Sequence, residues 1–220
     1  MDKTIKVTGK GSLKVKPNYT KLTFTLSNTK ETYEEALEEV NTNSSYLKDI
    51  FVNFGFHRTD LKTSSFSIEQ KYETYHDEDG SYKKRFAGYN YYEVLFVRFL
   101  SDTKLLNDIL NEIVKSKLDP EVDISYLALN DQKTKAKVLD LAIKSAKTQA
   151  KNIAKFAGIT LGDIISIEHY ESDYGSDSYT KSLSLEDKMA GKQSDALKSL
   201  EIEPEDITIR DSVEVIYQIK

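Results

Sequence analysis

The chain has 220 residues, 39% of them apolar and 30% charged, with a net charge of −5 and no cysteine. That length buries a substantial core as one large domain or two small ones. The missing thiols exclude disulfides, thiolate metal sites and cysteine nucleophiles, and the acidic balance argues against general nucleic-acid binding.

No apolar run approaches the ~18 residues of a membrane span. Met1 leads directly into an alternating stretch with no basic-then-apolar leader. The expected location is therefore the cytoplasm, or outside it if a leader has been removed. Ile5 and Val7 share a face, as do Leu13 and Val15, then Leu22, Phe24 and Leu26. Gly9-Lys10-Gly11 and Pro17-Asn18 punctuate these runs, which read as two or three strands. A helix follows over 32–54, with Ala36, Leu37, Val40, Leu47, Ile50, Phe51 and Phe54 at helical spacing. Glu31, Glu34 and Glu35 suit the positive end of its dipole, and Gly55 stops it.

Residues 61–75 and 85–100 read as the arms of a long hairpin with a polar tip at 76–81. In the second arm Tyr89, Tyr91, Leu95, Val97 and Phe99 fall on one face and Tyr92, Val94 and Phe96 on the other, as in a central strand. Asp102 caps a second helix over 103–115, with Leu105, Leu106, Ile109, Leu110 and Ile113 inward. A short strand over 124–129 comes after Pro120.

Residues 136–158 carry the strongest architectural signal. On a helix, Leu139, Ala142, Ile143, Ala146, Ala150, Ile153, Ala154 and Ala157 fall within about 60° of one line. Five of those eight are alanine, which lets the helix lie close to a sheet. Gly158 ends it, and 159–167 reads as a buried strand. Residues 172–204 read as a mobile polar loop, with a short helix near 195–200. Ile207, Ile209, Val213, Val215, Tyr217 and Ile219 alternate in a closing strand, with Asp211 the one polar residue on its inner face. The order ββαββαβαββ predicts an α+β fold: mainly antiparallel sheet with long hairpins and about three helices packed on one face. A single domain over 1–220 is expected.

The sequence shows no catalytic constellation. His57, His76 and His169 are not at metal-ligand spacing and read as three separate surface histidines. Gly9-x-Gly11 is not followed by a helix N-terminus, so a phosphate loop is disfavoured. Asp77-Glu78-Asp79-Gly80 reads as a solvated turn, because no glutamate completes a calcium loop. Two patterns suggest binding instead. Lys137, Lys144, Lys147, Lys151 and Lys155 form one stripe on the alanine-rich helix, either a solvated face or a dock for an acidic surface. Residues 185–206, with seven acids and three lysines, are a candidate for that surface. Tyr89 and Tyr91 lie in a tyrosine-rich hairpin, which reads as core or as a partner surface.

A set of landmarks in order resembles one known family. They are Ile5-Lys6-Val7-Thr8-Gly9-Lys10-Gly11 with Pro17, Tyr33-Glu34-Glu35-Ala36-Leu37, and Phe66-Ser67-Ile68 after Leu61-Lys62-Thr63. Phe86-Ala87-Gly88-Tyr89, Ala157-Gly158, Leu161-Gly162-Asp163-Ile164 and Val213-Glu214-Val215-Ile216-Tyr217 complete them. Together they are similar to the SIMPL domain family over nearly the whole chain. The resemblance implies relatives exported to the bacterial envelope and linked to oxidative stress, one of them forming a ring-like oligomer, and a mammalian relative associated with a signalling kinase. It carries over no catalytic residue, and the missing leader resembles the cytoplasmic forms of Gram-positive bacteria.

The expectation is a non-enzymatic protein with no cofactor and no metal, acting by self-assembly or by binding another protein. Nucleic acid and a membrane span are not expected. The alternative is a small-molecule or lipid binder with a pocket between helix 136–157 and the sheet, using a polar group such as Asp211 or His169.

Overall fold

The computed structural model describes residues 3–77, 80–116, 118–128, 132–169, 181–184 and 203–220. Among them the chain forms β1 (Thr4–Val15), β2 (Tyr19–Lys30), α1 (Tyr33–Asn53), β3 (Lys62–His76), β4 (Tyr82–Leu100), α2 (Thr103–Lys115), β5 (Glu121–Leu127), α3 (Gln132–Ala157), β6 (Leu161–His169), β7 (Lys181–Ser184) and β8 (Ile207–Ile219). The α+β class and the element order are as the sequence predicts. The short strand β7 is added within the stretch read as a polar loop, while 195–200 lies outside the described residues. The chain divides into two compact units, each with its own sheet.

The first unit draws on Met1–Asn18, Leu127–Thr180 and Pro204–Lys220. Its sheet has the order β1-β8-β6, antiparallel throughout, and α3 packs on one face. Alternation puts Ile5, Val7, Gly9 and Gly11 of β1 on the buried side. A Cβ at Gly9 would overlap the Ala142 carbonyl oxygen and lie 2.6 Å from Ala146 Cβ. One at Gly11 would overlap the Val138 carbonyl oxygen and lie 2.7 Å from the Ala142 nitrogen. Helix and strand therefore meet backbone to backbone, a contact only glycine permits. The buried row of α3 is Val138, Ala142, Ala146, Ala150 and Ala154, one residue in four.

Two expectations for this unit are overturned. Ile143, Ile153 and Ala157 are exposed rather than inward, because the helix rests on the row seated against the glycines and not on the middle of its wider apolar arc. β6 is not buried. It is the outermost strand beyond β8, and α3 covers β1 and β8 while barely touching it. Ile164, Ile165 and Ile167 are left 50%, 55% and 50% exposed.

The second unit, Tyr19–Tyr126 with Lys181–Glu203, holds a five-stranded sheet of order β3-β4-β2-β5-β7. Apolar faces of α1 and α2 share one core with Leu22, Phe24 and Leu26 of β2, Leu95 and Val97 of β4, and Ile124 of β5. Phe24, Phe51, Phe56 and Phe99 link edge to face through that core, at centroid distances of 5.4–5.7 Å. Thr32 and Glu35 close a reciprocal capping box at the start of α1, each side chain accepting from the other's backbone N–H. β4 lies between β3 and β2, the interior place expected of it, though only its face with Tyr91, Leu95, Val97 and Phe99 is buried.

The packing of α3 generates a paired prediction. Gly9→Ala is expected to cost about 3 kcal/mol, the upper part of the overpacking range, because its Cβ meets helix backbone. Gly55→Ala sits at a φ of +87° with nothing within 4 Å, and is expected to cost only about 1 kcal/mol for its left-handed backbone. Urea unfolding midpoints check the ranking.

Candidate interaction surfaces

α3 is a 26-residue helix whose sheet side is alanine. At 3.6 residues per turn, Lys133, Lys137, Lys144, Lys147, Lys151 and Lys155 fall within about 80° on the side opposite the Ala142–Ala146 row. All six are exposed. The stripe faces solvent directly across from the buried row. Asp140 is the single acid of the helix, and it binds Lys144 at 2.7 Å. Leu141 and Ile143, both exposed, flank the stripe, while Ile153 and Phe156 are exposed near the end of the helix on the side of the alanine row.

Beneath α3 the sheet holds one buried carboxylate. Asp211 of β8 pairs in register with Gly11 of β1, and its side chain is 2% exposed. Both its oxygens lie near His169 Nε2, at 3.0 and 3.1 Å, and Oδ1 also accepts the Ser212 N–H at 2.8 Å. His169 is thus no ordinary surface histidine. It ties the end of the rim strand β6 to β8. His57 instead sits before a 3-10 turn, and His76 stacks on Tyr82 at 4.3 Å. No cluster of three or more metal-ligating side chains occurs among the described residues.

The two tyrosines of the hairpin divide. Tyr89 is half-buried, edge-on to Tyr33 at 5.8 Å and to Phe86 at 5.4 Å. Tyr91 is 2% exposed and belongs to the core rather than to a partner surface. It lies on the helix side of the central strand, where its hydroxyl donates to Glu39 Oε1 and accepts from Asn43 Nδ2, both at 3.2 Å. Glu39 also accepts from Asn28 at 2.7 Å and pairs with Lys30. Burial pushes the Glu39 carboxyl up, but Lys30, Asn28 and Tyr91 outweigh it and hold the group below its ordinary value. Burial, with the nearby charges of Glu39 and Glu93, raises the Tyr91 phenol.

Sequence reasoning passed over Glu93. It occupies the inner face between Tyr91 and Leu95, is 5% exposed, and accepts from Thr63 Oγ1 at 2.9 Å and Ser44 Oγ at 3.4 Å. The one available signal was an acid interrupting a period-two apolar face. On the free edge of this sheet, β3 is exposed almost throughout, with Phe66 and Tyr72 about half exposed.

The network fixes a pH dependence. A carboxyl held below its unfolded pKa stabilises the fold above that pKa, and the contribution fades as pH falls through the folded value. Wild type should therefore lose stability below pH 4.5, the ordinary glutamate value, more steeply than Glu39→Gln does. Tyr91 has the opposite sign: its contribution is intact below pH 10 and is lost at higher pH. Tyr91→Phe should cost about 1 kcal/mol at neutral pH and flatten the alkaline loss. Urea midpoints across the pH range test both.

Comparison with known proteins places the chain. A family model described as a protein of unknown function (DUF541), SIMPL, matches residues 5–217. Ile5 and Tyr217, at the ends of that match, are direct partners in the β1–β8 ladder. The chain is 22% identical over 211 residues to the uncharacterized protein YggE of Edwardsiella ictaluri (strain 93-146), covering 96% of this chain and 84% of that protein. It is 24% identical over 163 residues to the 26 kDa periplasmic immunogenic protein of Brucella melitensis biotype 1, covering 74% of this chain and 65% of that one. The protein of the same name from Brucella abortus (strain S19) matches over the same shares. With a match that draws on both units, this chain belongs to the SIMPL (DUF541) family.

Proposed function

We propose that this SIMPL protein is a non-enzymatic module that works by self-assembly, or by binding another protein, through the rim strand β6. The observation that carries the reading is the exposure of Ile164, Ile165 and Ile167 on an outermost strand. Such a strand offers apolar side chains together with a row of backbone donors and acceptors, the two things an added strand needs. Covering the three half-exposed isoleucines contributes roughly 1 kcal/mol each. Asp163 and Glu168 are the only charged residues between its Leu161 and His169 ends.

The alternative, a ligand pocket between α3 and its sheet, is set aside. At Gly9 and Gly11 helix backbone lies against strand backbone, with no room for a ligand between them. The Brucella relatives are named as periplasmic. A chain without cysteine suits that compartment as well as the cytoplasm.

Light scattering on a sizing column tests the proposal. Wild type is expected at a discrete multiple of 25.1 kDa. The double variant Ile165→Lys, Ile167→Lys should run as a monomer with unchanged circular dichroism. A monomeric wild type overturns self-assembly and leaves β6 as a surface for a different protein.

A further inference from the structure

We propose that the lysine face of α3 docks on an anionic membrane surface, with its lysines on lipid phosphates. The proposal stands apart from the role of β6 and uses different residues. α3 carries seven lysines and one aspartate in a chain of net charge −5, so the rest of the protein is more acidic than the whole. A separation of that kind orients the molecule, helix first, toward a negative surface.

The chemistry of the face selects the partner. It holds lysine and no arginine. Lysines are point charges suited to a diffuse field, whereas discrete carboxylate or phosphate groups are better gripped by the arginine fork. At 1.5 Å per residue the helix is about 39 Å long, and its exposed lysines recur along that length as a straight row. A straight row matches a planar sheet of headgroups better than a curved phosphate backbone. Leu141 and Ile143, which border the row on its two sides, are both exposed. Apolar side chains bordering a basic row add buried area to its electrostatic attraction for anionic lipid. Lys137, Lys147, Lys151 and Lys155 make no ion pair with any acid among the described residues.

Vesicle flotation of the full chain tests this. Vesicles of phosphatidylcholine alone are compared with vesicles that also contain phosphatidylglycerol. Wild type is expected to float with the anionic vesicles at low salt, to ignore the neutral ones, and to be released at about 1 M NaCl, where the Debye length is ~3 Å. The combined variant Lys137→Gln, Lys147→Gln, Lys151→Gln, Lys155→Gln changes only exposed positions. It should weaken binding by roughly fivefold per lysine. Equal flotation with neutral and anionic vesicles, or binding unchanged in the lysine variant, overturns the proposal. So does capture by duplex DNA or by an acidic protein with no vesicle binding. The readout is lipid association rather than mass, so its failure leaves the β6 reading untouched.

Discussion

The contact between Gly9 and Gly11 of β1 and the alanine row of α3 sets the form of the first unit. Two absent side chains on the strand, and the small Ala142 and Ala146 on the helix, bring backbone to backbone. The helix is thereby committed to β1 and β8. Everything distinctive about the surface of this unit follows from that commitment. β6, one strand farther out, loses its cover and shows its isoleucines. The long polar side of α3 turns away from the sheet, lysines outward. A bulkier residue at either glycine would lift the helix and change both surfaces at once.

The second unit is held differently. Its helices lie on a conventional apolar face, but two carboxylates sit between α1 and the central strand. Glu39 is compensated by Lys30, Asn28 and Tyr91. Glu93 has two hydroxyl partners, Thr63 and Ser44. Polar groups shielded in this way cost free energy when a partner is lost, so they add direction to the seat that the apolar residues of α1 provide. Tyr91 belongs to this network, which explains why a tyrosine rather than a phenylalanine occupies a core position.

Much of this was legible in residue order. Helices at 33–53 and 103–115 were announced by apolar spacing, by the acids at the start of the first and by Asp102 before the second, and the interior place of β4 by its two apolar faces. The alanine arc and Gly158 announced α3. Periodicity shows that a face is apolar without saying how much of it a neighbour covers, and the errors came from there. Ile164, Ile165 and Ile167 look like core in a list of residues. They are exposed because the helix stops one strand short. Tyr91 and Tyr89 look alike in sequence, yet one faces α1 and the other stays half open. The pairing of His169 with Asp211 spans 42 positions, and nothing local in either strand announces it. The lysine stripe was visible at once. Its place directly opposite the seat of α3 required the fold.

With α3 seated on β1 and β8, β6 is the outermost strand among the described residues, and the proposed role of β6 depends on its outer edge being open to another chain. Amide hydrogen exchange along β6, followed against protein concentration, addresses it most directly. Those β6 amides that are not bonded to β8 should exchange fast in dilute solution and slow as the chain is concentrated, while the β1–β8 ladder stays protected throughout. Uniformly fast exchange of those amides at every concentration would contradict self-assembly through this edge. Protection already present at the highest dilution would show that the edge is covered within one chain, and the account of the free strand would fall.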